Sequence, residues 1–116
     1  MRKIKLFEDF KNDEFIGSEV LELLRPLSKF YFNYGVKFNS GRLIITISKK
    51  DPERIKVFEP SDVSPILTEI DNYLILGESM GLETIVVRTI EGEKELNSVK
   101  DINSITGLLS ILLIYN

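Results

Sequence analysis

Hydrophobic and polar residues alternate in several short stretches of the chain, and this two-residue period predicts β-strands. The stretch with the clearest alternation, residues 42–48, follows Asn39, Ser40 and Gly41, which are typical turn residues, so it forms a hairpin with the strand at residues 36–38. Pro52 lies in a second turn that leads to a third strand. The predicted strands are residues 3–7, 36–38, 42–48, 55–58, 84–90 and, with a weaker signal, 96–99.

Two other stretches carry hydrophobic residues at helical spacing. The first helix is predicted to begin at an N-cap, Ser18, and to end at Gly35, with a kink or a break into two short helices at Pro26. The second is predicted to begin at Ser64 and Pro65 and to end at Gly81. Its apolar stripe consists of Val63, Ile66, Leu67, Ile70, Tyr73, Leu74 and Met80.

The C-terminal stretch, from residue 101 or 103 onward, fits two structures. Its apolar residues fall at helical spacing, which favours a third helix, whereas residues 111–115 taken alone suit a strand. As a helix it is apolar around almost its whole circumference. The alternative is a central strand buried on both faces, which also appears as a continuous apolar run.

These elements predict an α+β fold. The expected architecture is a mostly antiparallel or mixed sheet of about five to six strands packed against two to three helices. A chain of 116 residues accommodates one hydrophobic core, so we expect residues 1–116 to form a single domain.

The residue types that are missing limit the chemistry. The chain has no His, Cys, Trp, Ala or Gln, so thiolate, zinc-finger and imidazole chemistry are excluded. We predict no catalytic, cofactor-binding or metal-binding residue, and we expect Glu91, Glu93 and Glu95 to face water. Abundant Ile, Leu, Lys and Glu are typical of thermophilic proteins, although a coding bias towards A and T explains the missing Ala equally well.

Positive charge is concentrated in the second quarter of the chain. Residues 25–57 carry eight basic and two acidic side chains, whereas residues 58–95 carry nine acidic and two basic ones. Because aromatic residues are interleaved with these basic residues, single-stranded nucleic acid is one candidate ligand. The alternative is that the aromatic residues belong to the core. The candidate nucleic-acid contacts are Lys29, Lys37, Arg42, Lys49, Lys50, Arg54 and Lys56.

The apolar C-terminal stretch supports the function that we favour. A terminal helix covers only part of its surface with its own sheet, so the remainder is available to another chain. We therefore predict a non-catalytic protein–protein interaction module, either a homo-oligomer or the partner of another protein, without cofactor, membrane or small-molecule ligand. The predicted interface residues are Ile105, Leu108, Leu109, Leu112 and Leu113. No signal peptide or spanning segment is evident, so the expected location is the cytoplasm.

Two stretches resemble the roadblock/longin class of small modules. Residues 83–92, which follow a predicted helix, are similar to the middle of roadblock domains, and residues 39–43 are similar to their first hairpin. The order helix, hairpin, helix, strands, helix is also similar. The resemblance implies a module that dimerises and binds small GTPases. The predicted strand at residues 55–58 and the break at Pro26 depart from that pattern.

Overall fold

The computed structural model describes residues 7–30, 32–49 and 59–116. These ranges contain two α-helices, α1 (Phe7–Leu24) and α2 (Pro60–Asn72). They also contain five strands, which are β1 (Phe32–Asn39), β2 (Arg42–Lys49), β3 (Leu82–Thr89), β4 (Gly92–Leu96) and β5 (Leu108–Tyr115). Short 3₁₀ helices cover Arg25–Phe30 and Val99–Ser104, and a π-helical turn covers Tyr73–Gly77. The predicted strand at residues 55–58 lies outside the described residues. So does the predicted strand at residues 3–7, except for its last residue.

The five strands form one antiparallel sheet in the order β1-β2-β5-β3-β4. The hairpins β1–β2 and β3–β4 lie on either side, and β5 lies between them. The predicted α+β class is confirmed, with a sheet that is antiparallel throughout the described residues. The last strand of the chain is the central strand of the sheet.

The C-terminal stretch is therefore a strand, and the favoured helix is wrong. The helical spacing arises because β5 is apolar on both faces, so large residues occur at almost every position. One face of β5 is covered by the helices, and residues Ile111, Leu113 and Tyr115 on that face are fully buried. Both edges of β5 are hydrogen-bonded to neighbouring strands, which is the typical setting of a continuous apolar run.

The first hairpin confirms the local turn signal, although β1 is longer than predicted. Ser40 and Gly41 have φ values of 53° and 80°, as a two-residue hairpin turn of type I′ requires. Gly35 does not end a helix but lies inside β1, opposite Thr46. In the second hairpin, the return strand is Gly92–Leu96 rather than residues 96–99. Residues 97–98 instead lead into the 3₁₀ helix Val99–Ser104.

The two helices begin earlier than their capping signals predicted. α1 begins at Phe7, eleven residues before Ser18, and it ends at Leu24. Pro26 is the second residue of the following 3₁₀ helix, so the predicted break is confirmed. α2 begins at Pro60, which supplies the preorganised first position that was expected of Pro65, and Pro65 lies inside the helix. The helical region ends at Gly77 rather than Gly81.

Both helices pack on the same face of the sheet. On that face β2, β5 and β3 form rows of side chains in register, one of which joins Ile45, Leu113 and Ile85. These side chains are buried together with the apolar stripes of both helices. The core residues of α1, α2 and the helical turns that directly follow them are Ile16, Val20, Leu24, Leu27, Val63, Leu67, Ile70 and Leu74. Among the described residues, no helix is both long and apolar enough to cross a membrane.

Candidate interaction surface

The sheet has a second face, which points away from α1 and α2, and we call it the outer face. Successive side chains of a strand point to opposite faces, so the outer face follows directly from the register. Its centre is formed by β2, β5 and β3 in two rows. These rows consist of Ile44, Ile114 and Thr84, and of Thr46, Leu112 and Val86.

The outer face is apolar at its centre. Ile44, Val86, Leu112 and Ile114 are half-buried, yet none of them belongs to the hydrophobic core or packs against it. They are partly buried because large side chains that are neighbours on one face of a sheet cover each other in part. The outer face of an antiparallel sheet usually carries polar residues, because it is in contact with water. Four large aliphatic side chains at its centre are therefore a departure from that pattern.

The edges of the outer face carry charges of opposite sign. Lys37 on β1 lies opposite the apolar Ile44, and Glu95 on β4 lies opposite the apolar Val86. All four side chains project from the same face, because directly paired residues do so. Both Lys37 and Glu95 are exposed. The β1 edge is therefore basic and the β4 edge is acidic.

The other charges of this face lie close to opposite charges. Arg42 on β2 forms a 3.0 Å ion pair with Glu83 on β3, across the end of β5. Arg88 is paired in register with Glu93. Arg42 is therefore compensated by an ion pair, and Arg88 has an opposite charge at its paired position, whereas the positions paired with Lys37 and Glu95 carry no charge.

The predicted interface residues divide between the core and the surface. Ile105, Leu108 and Leu113 are buried within the chain, so they have no surface to offer a partner. Leu109 and Leu112 are half-buried. Leu109 lies where the pairing of β5 with β3 shifts register, and Leu112 lies at the centre of the outer face. The sequence reasoning missed Ile44, Val86 and Ile114, which become neighbours of Leu112 only when β5 is placed as a central strand.

In the described part of the chain, Lys37 and Arg42 lie on the face of the sheet opposite to the aromatic side chains of β1. Lys29, Lys37 and Arg42 are exposed. Lys50, Arg54 and Lys56, together with the side chain of Lys49, lie outside what the structure describes. The aromatic side chains Phe32, Tyr34 and Phe38 belong to the core or pack against it, on the face opposite to Lys37. For these three aromatic residues, the arrangement matches the alternative that they belong to the core.

Two tyrosines have shifted acidity. Tyr115 is buried and donates a hydrogen bond to Asp71; its burial, followed by that bond, raises its pKa well above the ordinary value. Tyr73 donates a 3.2 Å hydrogen bond to Glu78. Burial, followed by the charge of Glu78, raises the pKa of Tyr73 to about 12. A group that exchanges protons during catalysis needs a pKa near the working pH, and both shifts move away from neutrality.

The described side chains offer no arrangement for binding a metal. No group of three or more acidic residues converges among them. In the same part of the chain, every buried polar side-chain atom has a hydrogen-bond partner. The polar groups of the described interior are thus accounted for by the fold itself.

The roadblock/longin layout places a helix after its last strands, whereas Leu108–Tyr115 form the strand β5. Comparison with known proteins adds no relative. No protein-family model, no curated protein and no solved structure matches the chain.

Proposed function

We propose that this protein is a non-catalytic assembly module that binds another protein chain, either a second copy or a different protein, through the outer face of its sheet. One observation carries the proposal. Ile44, Val86, Leu112 and Ile114 form an aliphatic centre on a face that none of the described helices covers. Part of the predicted interface, Leu112, lies in this centre.

The driving force is the burial of apolar surface. Removing such surface from water contributes roughly 25 cal/mol for each Å². The face of a sheet gives a partner continuous contact, and Thr46 and Thr84 do not interrupt the aliphatic strip, because each also presents a methyl group. The charged edges then favour one orientation of the partner over others.

The location and the lack of catalysis belong to the same proposal. An assembly module of this kind works in the cytoplasm without a cofactor. Nucleic acid is not proposed as the ligand, because the aromatic side chains of β1 pack towards the core and are not available for stacking on bases.

The test is the solution mass of the purified protein, measured by light scattering over a range of concentrations. We expect the wild-type chain to form a dimer or a larger assembly, and Leu112→Asp to be monomeric, because it places a charge in the centre of the outer face. Leu76→Asp is the matched control, since Leu76 lies in the turn after α2 and is 81% exposed. It should assemble like the wild type, and circular dichroism should show that both variants are folded.

A wild-type chain that stays monomeric at every concentration would exclude the second copy and leave a different protein as the partner. A Leu112→Asp variant that is folded and assembles as well as the Leu76→Asp control would overturn the proposal.

A further inference from the structure

We infer that the chain covering the outer face is a second copy of this protein, related to the first by a two-fold axis that runs parallel to β5. The inference rests on the proposed function and specifies the partner and its orientation. It follows from the position of β5, from the charges at the two edges of the sheet and from the area of the face.

The central position of β5 makes the outer face suited to self-association. Two strands lie on each side of β5, and the strands next to it contribute similar side chains, Ile44 and Thr46 on one side and Thr84 and Val86 on the other. Rotation by 180° about an axis along β5 places β2 of one copy over β3 of the other. Two sheets packed face to face in this way lie about 10 Å apart with their strands roughly aligned.

The same rotation places β1 of one copy over β4 of the other. Lys37 of the first copy then faces the acidic edge of the second copy, and the contact occurs twice because the axis is two-fold. Along the strands, Lys37 and Glu95 differ by one row of side chains, about 7 Å, which two long side chains bridge. The two outer-face charges whose in-register partners are apolar therefore neutralise each other between copies.

The other two-fold axis in this plane runs across the strands and gives the opposite result. It places β1 over β1 and β4 over β4, so that Lys37 faces Lys37 and Glu95 faces Glu95. Like charges brought together at an interface are unfavourable. The charges thus select the axis along β5.

The area is sufficient for a specific but moderate interaction. Five strands about 4.8 Å apart and eight residues long span roughly 24 Å by 27 Å, or about 600 Å² per copy. Two copies bury about 1,200 Å² in total, which is at the lower end of specific interfaces. We therefore expect a dimer that dissociates on dilution.

Charge exchange tests the orientation. Lys37→Glu and Glu95→Lys should each weaken the homodimer, with a dissociation constant raised about tenfold, since each creates two like-charged contacts. An equimolar mixture of the two variants should form a heterodimer of wild-type strength, because one contact is native and the other is reversed. The double variant Lys37→Glu/Glu95→Lys should recover the wild-type constant on its own. Sedimentation velocity measures all four samples, and both side chains are exposed, so folding is retained.

The outcomes separate this inference from the proposed function. If the wild type dimerises and Leu112→Asp abolishes dimerisation, but the two charge variants do not rescue each other, the orientation is wrong and the outer-face interface stands. If each charge variant dimerises as tightly as the wild type, and their mixture dimerises more tightly than the wild type, the axis runs across the strands and the inference is overturned. If the wild type binds only a different protein through this face, the second copy is overturned. A monomer without any partner overturns both.

Discussion

The hydroxyl group of Tyr115 donates a 2.6 Å hydrogen bond to Oδ1 of Asp71, 44 positions earlier in the chain. Tyr115 is the last residue of the central strand and is fully buried, whereas Asp71 is half-buried near the end of α2. The bond therefore connects the helix layer to the middle of the sheet. A buried hydroxyl without a partner is destabilising, so this hydrogen bond offsets the free-energy cost of burying the Tyr115 hydroxyl in the core.

Replacing Tyr115 with Phe should lower the free energy of unfolding by about 1–2 kcal/mol, because the carboxylate of Asp71 loses a hydrogen bond and gains only partial hydration in exchange. Urea denaturation measures the difference. Tyr73→Phe is the matched control, since its hydroxyl bonds to Glu78 at 3.2 Å in a more exposed site. It should cost less than Tyr115→Phe, and equal losses would contradict the role given to the Asp71 bond.

The tyrosines also make stability depend on pH in the alkaline range. Burial raises the pKa of Tyr115, and that of Tyr73 to about 12, above the value of about 10 in the unfolded chain. The stabilisation is complete below pH 10, and it declines above pH 10, where the unfolded chain releases these protons first. The urea midpoint should therefore decrease as the pH is raised from about 10 to about 12. Tyr115→Phe should fall less steeply, and a slope identical to that of the wild type would contradict the prediction.

A capping box precedes the central strand. The backbone N–H groups of Asn97 and Ser98 donate to Oδ2 of Asp101 at 3.2 and 3.1 Å, and the side chain of Ser98 accepts a bond from the backbone of Asp101 in return. Asp101→Ala should cost about 1 kcal/mol, since two donors lose their acceptor. Ser104→Ala, at the other end of the same 3₁₀ helix, is the control and should cost less. Thermal denaturation compares them, and equal melting temperatures for Asp101→Ala and the wild type would contradict the prediction.

Features fixed by neighbouring residues could be predicted from the sequence. The turn at Ser40 and Gly41 and the break at Pro26 depend on local backbone preferences, and both are present. The start of α1 could not be predicted, because residues 8–14 are polar apart from Phe10 and carry no apolar stripe at helical spacing. An apolar stripe at helical spacing begins only at Ile16. The capping signal next to it, Ser18, therefore lies eleven residues after the first residue of α1.

Features fixed by distant residues could not be predicted. Residues 108–115 are apolar at every position except Ser110, so their local pattern does not distinguish a helix from a strand that has partners on both edges. The outer face depends on this assignment, because Leu112 meets Ile44 and Val86 only when β2 and β3 flank β5. The ion pair between Arg42 and Glu83 likewise requires the complete sheet.

Gly107 lies just before β5, and we expect any side chain at this position to destabilise the fold. Its φ is +67°, and a Cβ atom there would lie 3.1 Å from the side chain of Ile90. The backbone N–H of Ile90 also donates a 2.9 Å hydrogen bond to the carbonyl oxygen of Gly107, which joins the end of β3 to the start of β5. Gly107→Ala should therefore lower stability by about 1–2 kcal/mol, through both backbone strain and crowding.

Gly41→Ala separates the two causes, because Gly41 also has a positive φ, +80°, but a Cβ atom there meets nothing within 4 Å. It should cost only the strain, about 1 kcal/mol. The free energies come from urea denaturation. In an Ile90→Ala background the crowding is absent, so Gly107→Ala should then lower the free energy of unfolding by no more than Gly41→Ala does. If the difference persists, crowding by Ile90 is not its cause.

Leu112 and Leu113 are adjacent in β5 but lie on opposite faces of the sheet, so we expect the costs of replacing them to depend differently on protein concentration. Leu113 is fully buried on the helix side, so Leu113→Ala should lower the free energy of unfolding by about 2–5 kcal/mol at any protein concentration. Leu112 is half-buried on the outer face, so Leu112→Ala should cost about 1 kcal/mol in dilute protein. At concentrations where the wild type is dimeric, the apparent cost of Leu112→Ala should increase, because the wild type gains stability from association and the variant gains less. Chemical denaturation at two protein concentrations measures this change, and a cost of Leu112→Ala that does not vary with concentration would place Leu112 outside any interface.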